Sequence, residues 1–142
     1  MRILVVDDDV TLRLTVRSAL ESRGYQVEEA EDGELAVRMA EATDYDAVIL
    51  DPPSYGHGPN GEVWQLNEHL SELLSVCNEL TQSQPQFVLL TCHAPDYPPE
   101  RLAQCLLGAG FRTAHSIDSG DLWLTSADNR KLHAGAFARF ST

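Results

Sequence analysis

Positive charge is scarce in this chain. Its 142 residues hold 10 Lys and Arg against 22 Asp and Glu, a formal net charge of −12, and Lys131 is the single lysine. Both halves share the imbalance: residues 1–51 carry 13 acids and 5 bases, and residues 52–142 carry 9 and 5. Such a surface repels phosphate backbones, so nucleic acid is not an expected partner. Long apolar runs are missing as well. No stretch approaches the ~20 residues a helix needs to cross a bilayer. The opening run Ile3-Leu4-Val5-Val6 is too short for a signal peptide and ends in acids. A cytoplasmic protein (or a recombinant product) without a membrane partner is therefore expected. Cys77, Cys92 and Cys105 form no C-x-x-C pair. His57, His69, His93, His115 and His133 show no H-x₃₋₅-H spacing. A disulfide framework and a zinc knuckle are thereby excluded, and the histidines read as surface or satisfied polar residues. There is no internal repeat and no low-complexity segment.

What the chain does have is alternation. Hydrophobic residues make up 43% of it, enough for one core in a domain of this length. Ile3 to Val6 is a continuous apolar run, as expected of a strand buried on both faces. Asp9 can cap a helix with Val10, Leu14 and Leu20 at helical spacing, stopping at Gly24. Residues 25–30 read as a half-exposed strand. Residues 33–42 read as a short helix with Leu35, Val37 and Ala40 inward. Ala47-Val48-Ile49-Leu50 is a third strand, expected buried and ending at Asp51. Residues 52–61, rich in Pro and Gly, read as an ordered loop. A long amphipathic helix follows, with Val63, Leu66, Leu70, Leu73, Leu74, Cys77 and Leu80 on one face. Pro85 ends that connection, and Phe87-Val88-Leu89-Leu90 is a fourth strand. Pro98-Pro99-Glu100 opens another helix that ends near Gly108. The tail reads as two strands around a turn at Ala127-Asp128-Asn129-Arg130.

Strand–helix alternation predicts an α/β fold of three layers, with a doubly wound, mainly parallel sheet. In such sheets sites form at the carboxyl ends of strands. Here those ends are Asp7-Asp8, Asp51 and Thr91. Clustered carboxylates repel and coexist most readily around a cation, and hard oxygen ligands favour Mg²⁺. The same run, Asp7 to Asp9, is equally well read as a helix-capping segment favoured by the helix dipole.

The N-terminal third strongly resembles a response-regulator receiver domain of the CheY type. The residues that carry the resemblance are Ile3 to Asp9, Gly24-Tyr25-Gln26-Val27, Ala30-Glu31-Asp32-Gly33-Glu34-Leu35-Ala36, and Tyr45 to Asp51. The resemblance implies Asp7 and Asp8 as Mg²⁺-binding acids, with Asp51 as a shared metal ligand and phosphoacceptor. It implies Thr91 as the switch hydroxyl. The family also places a lysine at the end of its last strand, which here would fall near Ile117 or Asp118. The chain has none there, so phosphoryl transfer is expected to be impaired.

From residue 47 onward a second resemblance takes over. The stretch Asp51-Pro52-Pro53-Ser54-Tyr55-Gly56 is similar to the Asp-Pro-Pro loop of class I S-adenosylmethionine-dependent methyltransferases, those resembling rRNA methyltransferases above all. The likeness runs on through Leu89-Leu90-Thr91-Cys92 and Leu132-His133-Ala134-Gly135-Ala136-Phe137. It implies that Pro52, Pro53 and Tyr55 are vestiges of a cofactor site. That cofactor is held in the family by a glycine-rich turn after the first strand, where this chain has Asp7-Asp8-Asp9-Val10-Thr11. Gly56-His57-Gly58-Pro59-Asn60-Gly61 matches G-x-G-x-x-G in form only, because its glycines do not directly follow the strand and Pro59 lacks an N–H. It reads as a structural loop. Cys92 reads as structural rather than nucleophilic, and Trp64 and Trp123 as packing residues.

Taken together, the two resemblances predict one domain over residues 1–142, a receiver-like fragment (1–51) followed by a methyltransferase-like fragment (52–142). Its sheet would be a flavodoxin-like/Rossmann-like hybrid of order 2-1-3-4-6-5 with the last strand antiparallel. The leading expectation is an engineered fold chimera that is not an enzyme, requires no cofactor and is monomeric without a defined partner. The alternatives are a residual receiver that binds Mg²⁺ and accepts phosphate at Asp51, and a methyltransferase remnant.

Overall fold

The computed structural model describes residues 1–7, 9–31, 33–58, 60–81, 86–111 and 117–141. Asp8, Pro59, Pro85 and His115 lie outside these. The chain runs β1 (Arg2–Val6), α1 (Val10–Glu21), β2 (Gln26–Ala30), α2 (Gly33–Ala42), β3 (Ala47–Leu50), β4 (Tyr55–His57), β5 (Val63–Gln65), α3 (Leu66–Leu80), β6 (Phe87–Cys92), α4 (Pro99–Gly108), β7 (Asp118–Thr125) and β8 (Lys131–Ser141). Six strands form one sheet in the order β2-β1-β3-β6-β8-β7, and β4-β5 form a separate pair. The first four strands of the large sheet are parallel, and β8 runs antiparallel to both β6 and β7. This is the predicted order. The turn that closes β7 on β8 uses Asn129 at φ 63, a conformation that asparagine tolerates better than most residues.

The hydrophobic core is not spread evenly along the chain. The buried cluster, from Leu66, Leu70 and Leu74 of α3 to Ala138 and Phe140 of β8, lies wholly between residues 66 and 140. It is where α3 and α4 cover β6 and β8. Residues 1–51 contribute only Ile3, Ala30, Tyr45 and Ala47 to the buried hydrophobic set.

Helix α1 shows why. Asp9 caps it as expected, accepting from the N–H groups of Thr11 (2.7 Å) and Leu12 (3.0 Å), and Gly24 turns the chain beyond it at φ 85. Yet the helix buries none of its residues. Val10 and Leu14, at helical spacing in the sequence, are 56% and 55% exposed. The helix is rotated instead by Arg13 and Arg17, whose guanidinium groups reach Glu29 on β2 at 3.8 Å and 2.8 Å. On α2, Leu35 and Ala40 are half-buried and Val37 is exposed. Ile49 of β3 is 56% exposed, because it points to the face opposite Val48 and Leu50.

Two further differences concern the segment after β3. Residues 52–61 were expected as a loop, but Tyr55–His57 pairs with Val63–Gln65 as a short antiparallel hairpin. Val63 therefore belongs to β5 and not to the long helix, which starts at Leu66.

The joint between the two resemblance segments is narrow at one point and firm at another. β1 and β3 share one pair in register, Ile3 with Ala47. β3 and β6 share four, from Ala47–Phe87 to Leu50–Leu90. Asp46 ties all three strands at their lower ends. Its carboxylate accepts from Arg2 N–H (2.7 Å) and Gln86 Nε2 (2.9 Å), and its carbonyl accepts from Gln86 N–H (2.7 Å).

An uneven core makes unequal mutations. Leu74→Ala, at a fully buried position, is expected to lower unfolding free energy by about 2–5 kcal/mol. Leu14→Ala is expected to stay within about 0.5 kcal/mol. Urea unfolding followed by far-UV circular dichroism checks both.

Candidate functional site

The carboxyl ends of β3 and β6 lie side by side, and chemistry-bearing side chains meet there. Because Leu50 is in register with Leu90, the next residues, Asp51 and Thr91, are neighbours. The Thr91 hydroxyl donates to Asp51 Oδ1 at 2.7 Å, with a longer approach to Leu50 O at 3.3 Å. His93 stands two residues on, its Nε2 3.3 Å from Asp51 Oδ2 and its Nδ1 2.5 Å from the carbonyl of Ala134 on β8. Both ring nitrogens thus face acceptors. A neutral imidazole has one N–H and satisfies one of them, whereas an imidazolium satisfies both. The Asp51 and His93 side chains are 55% and 62% exposed, so the contact adds little stability but leaves the carboxylate open to solvent molecules.

Gly135 makes the seat for His93. Its φ is +116, and a Cβ there would lie 2.4 Å from the Cys92 carbonyl oxygen and 3.0 Å from His93 Nδ1. No side chain fits between β8 and the end of β6 at this point.

The remaining sequence-predicted residues are placed as follows. Asp7 closes β1, and its Oδ1 accepts from the Asp9 N–H at 2.8 Å, which is the capping use of that acid run. Pro52 is half-buried and Pro53 exposed, and the Pro53 carbonyl accepts from Trp64 Nε1 at 2.6 Å. Tyr55 is exposed and hydrogen-bonds His57 Nε2 at 2.9 Å, with the rings edge to face. The loop beyond is held by Gly58 N–H to Glu62 O (2.9 Å) and by the Glu62 carboxylate, which accepts from Asn60 N–H (3.0 Å) and Nδ2 (3.1 Å). Backbone hydrogen bonding at Glu62, then the bonds from Asn60, lower its pKa. Cys92 is buried, and burial pushes its thiol pKa up, as suits a packing residue. Trp64 is half-buried and stacks on His69, as a packing residue would. Trp123 departs from expectation: it is 52% exposed, edge-on to His133 on the β7–β8 hairpin.

Near the position where a receiver would carry its lysine, Asp118 pairs with Arg139 at 2.8 Å, and Lys131 stands opposite Thr125 at the hairpin end. The nitrogen that faces Asp51 is the imidazole of His93. Sequence reasoning missed it because a lone histidine carries no spacing signal. The available cue was its position just past a buried strand that ends in Thr91-Cys92.

In fold, this is the sheet and helix arrangement of S-adenosylmethionine-dependent methyltransferases. The structure of the SAM-dependent methyltransferase from Agrobacterium tumefaciens superposes with a TM-score of 0.72 at 22% identity, covering 97% of this chain and 48% of that one. In sequence, the N-terminal part is similar to a response-regulator receiver: residues 3–52 match the response regulator receiver domain family. Response regulator MprA of Mycobacterium avium (strain 104) is 35% identical over 112 residues, 77% of this chain and 42% of that protein. MprA of Mycobacterium leprae (strain TN) is 34% identical over the same length. The chain thus spans about two fifths of the curated relatives it matches.

The expectation that the chain is not an enzyme is overturned by the first of these likenesses. A solved structure that shares its fold over 97% of the chain is a methyltransferase. The lack of glycine between β1 and α1 does not decide against catalysis. At 22% identity the likeness establishes the fold and leaves the reaction to be proposed.

Gly135→Ala forces a methyl group against the Cys92 carbonyl. It is expected to cost about 1–3 kcal/mol and to shift the His93 imidazole resonances in an NMR spectrum. Unchanged stability and unchanged His93 signals would contradict the close approach described.

Proposed function

We propose that this chain is a phosphoacceptor module carried on a methyltransferase-like sheet, with Asp51 as the acceptor. The observation that carries the reading is the Thr91 hydroxyl 2.7 Å from the Asp51 carboxylate at the open end of adjacent central strands. The receiver match of residues 3–52 supports it by including the acceptor position.

The chemistry follows from the groups present. A carboxylate oxygen of Asp51 attacks the phosphorus of a small acyl phosphate, a new P–O bond forms, and the P–O bond to the carboxylate leaving group breaks as that group departs with the electron pair. Such transfers depend chiefly on position and on charge stabilisation. Thr91 can redirect its hydroxyl from the carboxylate to a phosphoryl oxygen. An Nε2–H of His93 can donate to the same group, a role that the receiver resemblance gives to a lysine from another position in the chain.

The receiver resemblance implies Mg²⁺ at Asp7, Asp8 and Asp51. Asp8 lies outside the described residues, and among those described no three His, Cys, Asp or Glu side chains gather closely enough to hold a metal. The described donors do not by themselves make a metal site.

We also read the chain as a recombinant of two folds, engineered or natural, joined on β3. The buried cluster lies wholly beyond residue 65, and β1 meets β3 at one registered pair. That is the packing expected where segments were not shaped together. The fold likeness favours a second reading, methyl transfer from S-adenosylmethionine, and saturable binding of that cofactor by calorimetry would support it.

Incubation with acetyl phosphate, with magnesium or with EDTA, followed by intact-mass measurement tests the first reading. A stoichiometric phospho-adduct is expected, lost in Asp51→Asn. His93→Ala should form it about tenfold more slowly, the worth of one hydrogen bond to a charged group. No adduct, or one that survives Asp51→Asn, would overturn the proposal.

A further inference from the structure

Beyond their single registered pair, β1 and β3 do not continue a ladder. On the side of the sheet covered by α2 and α3, a cavity of about 300 Å³ lies against these strands. Val6 and Leu50 line it from the strands, Ala36 and Ala40 from α2, and Leu73 and Cys77 from α3. The two alanines lie four residues apart on one helical face, and with Val37 they give α2 only small aliphatic side chains against this space.

The polar atoms at the wall are already matched. The Thr81 hydroxyl donates to the carbonyls of Cys77 and Asn78, each at 3.0 Å. The Tyr45 hydroxyl donates to Glu28. Burial pushes the Cys77 thiol up to about 11, which keeps it neutral. None of the lining residues is charged. A charged ligand would therefore enter without a counter-charge, at high cost. A neutral apolar one would exchange water contact for dispersion contact with the strands and the two helices, one side staying open to solvent. Enclosed apolar cavities of even ~150 Å³ take up small aromatic molecules, and this one reaches the lower end of the range of small-molecule sites, ~300–1,000 Å³.

We propose that the space between β1, β3, α2 and α3 is a binding site for a small, neutral, apolar molecule, an aromatic of one or two rings or a short aliphatic chain. This does not rest on the phosphoacceptor reading, whose residues lie at the strand ends and do not line the cavity.

The probe is N-phenyl-1-naphthylamine, neutral and fluorescent in apolar surroundings, titrated into the whole chain. A saturable, blue-shifted enhancement at one site per chain is expected. The double variant Ala36→Leu/Ala40→Leu fills the cavity from α2 with good helix formers, and should weaken binding roughly tenfold or more while keeping its circular dichroism spectrum. An independent reading uses the unaltered chain alone: at about pH 9, where part of the Cys77 thiol ionises, saturating probe should slow its alkylation by iodoacetamide, and leave Cys105, which does not line the cavity, at its original rate. Three results overturn the proposal: no saturable enhancement, equal affinity in a folded double variant, or Cys77 alkylation that the probe does not change. Should the double variant fail to fold, the Cys77 measurement decides.

Discussion

Between β3 and β6, Ala47, Val48, Ile49 and Leu50 stand in parallel register with Phe87, Val88, Leu89 and Leu90. Everything N-terminal to this ladder is receiver-like in sequence, and everything C-terminal to it holds the buried core. The ladder therefore decides whether there is one sheet or two fragments. Val88 and Leu90 are fully buried against the helices, so β6 is fixed in place before β3 is considered. β3 adds Val48 and Leu50 to the edge of that core. β1 and β2 in turn hang on β3 through Ile3–Ala47 and the bonds to Asp46. An apolar strand edge is a general coupling device, and two folds with central parallel strands can share it without matched helices. Helix packing beside it is looser, as at the cavity between α2 and α3.

The site depends on the same register. Strand side chains alternate, so a slip of one residue would turn Thr91 to the other face of the sheet and away from Asp51. β8 then fixes the third member, since Gly135 permits the approach that sets the Ala134 carbonyl against His93. Asp51 comes from the receiver-like end of the join. Thr91, His93 and Gly135 come from the methyltransferase-like part. The cluster thus draws on both resemblance segments, and neither alone specifies it.

Much of the fold was legible because its signals are local. Three apolar runs and one half-exposed stretch became the four parallel strands, Asp9 became a cap, Gly24 a positive-φ turn residue and Asn129 the hairpin turn. Helix orientation was not legible in α1, because its apolar period competes with two arginines that find Glu29, a partner visible only once β2 is in place. The β4–β5 hairpin was hidden because its strands are three residues each, too short to show alternation. In the site, Asp51 and Thr91 were legible from strand ends. His93 was not, since its role comes from two long-range contacts at separations of 41 and 42 residues.

The central claim is that a well-cored C-terminal part carries a lightly cored N-terminal part through the β3–β6 ladder. Native-state hydrogen exchange across a series of low urea concentrations measures this residue by residue. Amides of β6 and β8 should exchange only through global unfolding. Those of β1, β2 and α1 should open earlier as a separate unit of lower free energy. A single common opening free energy for β1, β2, β6 and β8 would contradict the account.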